Sequence, residues 1–82
     1  MYKFIIDPAH GWLEVKESEL LELGLKPSSF SYIDPIKRLV YLEEDMDAPA
    51  FIKAKQLNKD DIQEVNHNLE CFVRELPRLQ VA

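Results

Sequence analysis

The chain is poor in cysteine, glycine and basic clusters, and no long apolar run interrupts it. Cys71 is its single cysteine, so no disulfide can close within it and no cysteine cluster offers a structural zinc site. A reducing, cytoplasmic setting is the expectation. The opening apolar run, Phe4-Ile5-Ile6, stops at Asp7, short of a signal-peptide core and far short of the roughly 20 apolar residues of a membrane span. Neither export nor membrane insertion is expected. The 10 lysines and arginines are scattered, Lys37-Arg38 being the only adjacent pair, whereas neutralising phosphates takes a basic stripe. Direct nucleic-acid binding is therefore not expected.

What is present, 82 residues with 46% hydrophobic and 30% charged, is the composition of an ordinary folded domain. A chain this short buries only about 60 to 65% of its unfolded surface. That suffices for a single domain over residues 1–82 with one small core, and not for a large enclosed active site. The net charge of −5 favours solubility and would draw the chain toward a partner with a basic surface.

Tyr2, Phe4 and Ile6 alternate with Lys3, Ile5 and Asp7, and Trp12-Leu-Glu-Val15 alternates again, the period of strands with a buried face. Between them Asp7-Pro-Ala-His-Gly11 is rich in turn formers, so a hairpin is expected. Ser18 is placed to cap a short helix through Glu19-Leu-Leu-Glu-Leu23, with Gly24 to end it. Phe30–Ile33 and Arg38–Leu42 bracket Asp34-Pro-Ile-Lys37 as a second hairpin. A second helix is expected from Asp47-Ala-Pro49 through Phe51, Ile52 and Leu57 to near Asn58.

The last third supports two readings. Ile62, Val65, Leu69, Phe72 and Leu76 recur at helical spacing, giving a helix from Asp60 to Leu76 stopped by Pro77. Asn66-His67-Asn68 are poor helix residues and Cys71-Phe72-Val73 favours a strand, giving two short strands around a turn, the preferred reading. Either ending predicts an α+β fold: a small antiparallel sheet of hairpins with two short helices on one face, ordered strand-strand-helix twice and then two strands or one helix. Leu13, Val15, Leu20, Leu21, Phe30, Leu39, Tyr41, Phe51 and Ile52 are the expected core.

The segments Asp7-Pro-Ala-His-Gly-Trp-Leu13 and Tyr41-Leu-Glu-Glu-Asp45, with Tyr32 between them, resemble a family of small uncharacterised proteins encoded by phages and bacteria. Its members carry a similar Asp-Pro-Gly-His-Gly-Trp-Leu start and a Tyr-Leu-Glu-Glu-Asp segment. The resemblance covers roughly residues 5 to 52, with Ala9 where the family turn has glycine. It implies a phage or mobile-element origin and an accessory, host-interaction role. Ile5 to Gly11 is also similar to the strand and turn that carry a zinc-ligating histidine in N-acetylmuramoyl-alanine amidases. Here no second glycine follows Gly11 directly, and no further set of histidine and glutamate ligands is evident.

Among chemical candidates, His10 with Asp7 and Glu44 could bind a metal or serve acid–base chemistry, because imidazole titrates near neutrality and a carboxylate can orient it. His67 would join only if the fold brings it close. The competing reading has Asp7 capping its own turn while His10 packs against Trp12 or bonds a carbonyl. Glu43, Glu44, Asp45 and Asp47 could hold a hard cation, but their spacing is not that of an EF-hand loop, and acids just before a helix answer its dipole. Trp12, Tyr32 and Tyr41 could anchor an interface or fill the core.

The expectation from sequence is a cytoplasmic, non-enzymatic interaction protein with no cofactor, binding a protein partner through Asp7, His10, Trp12, Tyr32, Glu43, Glu44, Asp45 and Asp47. Self-association is left open. The alternative is a small metal-dependent hydrolase built on Asp7, His10 and the Glu43 to Asp47 segment.

Overall fold

A computed structural model of the chain describes residues 1–67 and 72–79. β1 (Tyr2–Ile6) and β2 (Gly11–Lys16) are followed by α1 (Glu17–Leu23), and β3 (Tyr32–Asp34) and β4 (Leu39–Glu43) by α2 (Asp47–Lys55). A 3-10 turn, Lys59–Asp61, leads into β5 (Ile62–Asn66), and a second covers Phe72–Glu75. The fold is α+β, with the strand-strand-helix unit occurring twice. No helix among the described residues is long and apolar enough to cross a membrane.

Both hairpins are closed by the same device. The Asp7 carboxylate accepts the backbone N–H groups of Ala9 (2.9 Å) and His10 (2.8 Å), and the Asp34 carboxylate accepts those of Ile36 (3.0 Å) and Lys37 (3.1 Å). Each aspartate thus imitates a backbone turn, with the following proline fixing φ. Gly11 is required by packing: a Cβ there would lie 2.7 Å from the Phe4 ring.

The helices share a stop as well. At α1, Gly24 takes φ +67° and donates to Leu21 O while Leu25 donates to Leu20 O. At α2, Gln56 takes φ +57° and donates to Lys53 O while Leu57 donates to Ile52 O. Both are Schellman caps, the second built without glycine. α1 begins two residues earlier than expected, at Glu17 rather than Glu19. It starts directly from the end of β2, so Lys16 is the cap residue and its N–H is accepted by Glu19 (3.2 Å), leaving Ser18 inside the helix. α2 ends at Lys55 rather than near Asn58.

The five strands lie in the order β3-β4-β2-β1-β5. β1–β2, β2–β4 and β3–β4 are antiparallel, while β5 runs parallel to β1, with Tyr2 opposite Ile62 and Ile6 opposite Asn66. The sheet is therefore mixed rather than wholly antiparallel, because α2 carries the chain across to the far edge before β5 enters. A helix from Asp60 to Leu76 is ruled out by β5. Of the preferred pair of strands, the first forms; Phe72–Glu75 is instead a 3-10 turn, and Cys71 and Asn68 lie outside the described residues.

Strand alternation sends side chains to two faces. Leu13, Val15, Val40 and Leu42 meet Leu20, Ala48 and Phe51 from the two helices, which both lie on this face as expected. Ile5, Trp12 and Tyr41 point to the other face, where Val73 from the C-terminal segment covers them. That segment also closes the β3 edge: Ile33 donates to Pro77 O (3.0 Å) and Leu79 to Ser31 O (2.8 Å). Leu13, Val15, Leu20, Tyr41 and Phe51 are buried as expected, and Leu39 and Ile52 are half-buried. Leu21 and Phe30 are not core, being 75% and 66% exposed. Leu21 sits about 100° around α1 from Leu20, which faces the sheet, and Phe30 lies in the turn before β3.

Candidate functional site

Where the β1–β2 turn, the segment after β4 and the C-terminal segment meet, a shallow groove of about 350 Å³ opens at one end of the sheet. Six predicted site residues line it: His10, Trp12, Tyr32, Glu43, Glu44 and Asp45. The alternation of β2 and β4 puts Trp12 opposite Glu43, and Tyr32 lies opposite Tyr41 on the neighbouring pair. Two other predicted residues, Asp7 and Asp47, stand behind the groove.

Asp7 is buried and committed. Besides its own turn, it takes the Arg74 guanidinium through two hydrogen bonds, Nε to Oδ2 at 2.8 Å and Nη2 to Oδ1 at 3.2 Å. Arg74 in turn lies 5.5 Å from the centroid of the Trp12 ring, whose edge meets Tyr32 at 6.1 Å and 81°. Arg78 sits 5.0 Å over Tyr32 and donates to Ser29 O. The chain's own arginines therefore take the cation positions on both rings.

The acids divide into structural and open groups. Glu43 accepts the N–H groups of Asp45 (2.7 Å), Met46 (2.6 Å) and Asp47 (2.7 Å), so it is this strand-end carboxylate that caps α2. Asp47 accepts from Ser28 N, Ser28 Oγ and Ser31 Oγ, and Ser31 Oγ accepts from Glu43 N at 3.0 Å. This network fixes the turn that carries Phe30. Glu44 and Asp45 remain directed to solvent, with His10 Nδ1 at 3.5 Å from Glu44 Oε1.

The proposed metal trio does not assemble. Asp7 spends its oxygens on Arg74 and two backbone N–H groups, leaving His10 and Glu44 as a pair, while His67 packs edge-on against Phe72. Among the described residues no three His, Cys, Asp or Glu side chains gather in a metal-binding arrangement.

A polar tie joins the sheet to both helices away from the groove. Tyr2 donates to the Glu19 carboxylate, joining β1 to α1, and Lys55 of α2 approaches the same carboxylate at 3.4 Å. Burial and the Glu19 charge push Tyr2 up to about 12. Burial also pushes Glu19 up, but hydrogen bonds from Tyr2, Lys16 N–H and Lys55 outweigh it and hold the carboxyl below its ordinary range. These groups tie the layers together and do not line the groove.

Five groove residues were not predicted as site residues: Gly11, Phe30, Met46, Arg74 and Arg78. Phe30 reads as core in sequence because it follows a turn and precedes Tyr32 and Ile33. The arginines carry no local signal, since Asp7 and Arg74 lie 67 positions apart. Comparison with family models, curated proteins and solved structures returns no match.

Proposed function

We propose that this chain is a non-enzymatic interaction protein, encoded by a phage or another mobile element and working in the host cytoplasm, that binds and modulates a host or phage protein. The groove over Trp12 is its contact surface. One observation carries the reading: Phe30 and Met46 stand 66% and 74% exposed on the lining of the same groove as Glu44 and Asp45. Apolar side chains held in water beside charged groups match the anatomy of an interface, where aromatic residues, Met and Arg are enriched at the contact and polar groups form the rim. The phage origin rests on the resemblance carried by Asp7 to Leu13 and Tyr41 to Asp45. Modulation needs no chemistry at the groove, because occupying a partner's functional surface is enough.

The test is affinity capture from host lysate with quantitative mass spectrometry, comparing the wild type with His10→Ala plus Glu44→Lys and with Leu21→Ser on the far side of the molecule. The expected result is one partner retained by the wild type and Leu21→Ser and lost by the groove variant. A partner retained equally by all three would overturn the assignment of the surface.

A further inference from the structure

Resting on that reading of the groove, we infer that its occupant is a short linear segment of the partner that is both cationic and apolar, a Lys or Arg within a few residues of a large aliphatic or aromatic side chain. The charges that face the groove set the sign. Arg74 is matched by the buried Asp7. Arg78 lies on Tyr32 and donates to Ser29 O. Glu43 is absorbed in capping α2, although its charge remains. Glu44 and Asp45 stay exposed, and Asp45 has no side-chain hydrogen bond among the described residues. With Arg74 set against Asp7, the three lining acids outnumber Arg78, so an anionic ligand would be repelled and a cationic one drawn in.

The position of the arginines decides where a ligand cation goes. Trp12 and Tyr32 already carry Arg74 and Arg78 on their rings, so a ligand cation meets carboxylates rather than an aromatic cage. The apolar part of the ligand has Phe30 and Met46 to cover. A groove of about 350 Å³ takes a few side chains of a segment, and methionine adapts its shape to them.

The probes are three fluorescein-labelled peptides in a Gly/Ser frame, with cores Leu-Lys-Lys-Leu, Leu-Ser-Ser-Leu and Leu-Glu-Glu-Leu, titrated by fluorescence anisotropy. The proteins are the wild type, Glu44→Lys plus Asp45→Lys, and Phe30→Ser, all at exposed positions, with folding checked by circular dichroism. The basic peptide should bind saturably, weaken with added salt, and lose about tenfold in affinity both on charge reversal and on Phe30→Ser. Equal binding of the basic peptide by the charge-reversed protein would overturn the inference. So would tighter binding of the neutral or acidic peptide; if Phe30→Ser then abolished that binding, the groove would stand as an interaction site with its ligand class reassigned. Failure of all three peptides also overturns the inference, and lysate capture then separates two cases. Capture that depends on Phe30 keeps the interaction reading, and capture indifferent to it removes both.

Discussion

The pair of Asp7 and Arg74 ties the last described segment to the first turn, and its removal from either side gives a measurable quantity. Asp7→Asn keeps the oxygen that accepts the Ala9 and His10 N–H groups and removes the charge that Arg74 meets at 2.8 and 3.2 Å. Arg74→Met removes the cation and keeps an unbranched apolar stem against Trp12. Breaking a fully buried pair from one side costs about 3 to 5 kcal/mol. Asp7 is 1% exposed in its side chain but Arg74 is 26% exposed, so solvent recovers part of the loss, and about 2 kcal/mol is expected for each variant. A domain of 82 residues has roughly 4 to 12 kcal/mol in all, so both variants remain folded enough to measure. In the double variant the two costs overlap, leaving a coupling of about 1 to 2 kcal/mol. Urea unfolding followed by Trp12 fluorescence measures all four corners of the cycle, with an unchanged denaturant slope as the check on two-state behaviour. Costs that add to within about 0.5 kcal/mol would refute the pairing as an energetic tie.

Gln56 occupies a left-handed position that glycine adopts without strain, so Gln56→Gly should stabilise by about 1 kcal/mol and raise Tm by about 4 to 8 °C; a lower Tm would show that the cap geometry is not the limiting factor. The Glu19 carboxyl titrates below its ordinary value of 4.5, so its contribution is complete above that pH and disappears as the pH falls through the lower folded value. The stability gap between wild type and Glu19→Gln should therefore close on acidification, and a gap that stays constant with pH would contradict the assignment. Phe51 is wholly buried between the helices and the sheet while Leu21 is exposed. Phe51→Ala should cost about 3 to 5 kcal/mol and Leu21→Ala less than about 0.5 kcal/mol in the same unfolding assay.

The parts of this fold that were legible in sequence are those decided within a few residues. An aspartate before a proline finds its N–H donors two and three positions on, so both hairpin turns could be read from Asp7-Pro8 and Asp34-Pro35. Gly24 marked the end of α1 for the same local reason. Gln56 performs the same task unannounced, because its left-handed backbone is imposed by the packing of Leu57 and Ile52 against the core rather than by its own preference. The β5 segment could not be settled from its own residues: Ile62 and Val65 fit a helix face, and the partner that makes them a strand is β1, some sixty positions away. The groove followed the same division. Its histidine, aromatics and acids were visible as residue types at two turns, and the fold brings six of them together. Asp47 and Asp7 were visible too, and Asp7's own turn with them, but their distant partners Ser28, Ser31 and Arg74 are contacts that no spacing in the sequence encodes.

The most direct test of the proposed binding surface is site-specific photo-crosslinking in the proposed host, with p-benzoylphenylalanine in place of Phe30 at the groove and, in a second protein, in place of Leu21 on α1. Both positions are exposed, so both reporters reach any protein that docks beside them. The expected result is a discrete adduct from position 30, suppressed by Glu44→Lys, and none from position 21. An adduct from position 21 with none from position 30 would place the partner on the helical face and contradict the groove as the binding surface.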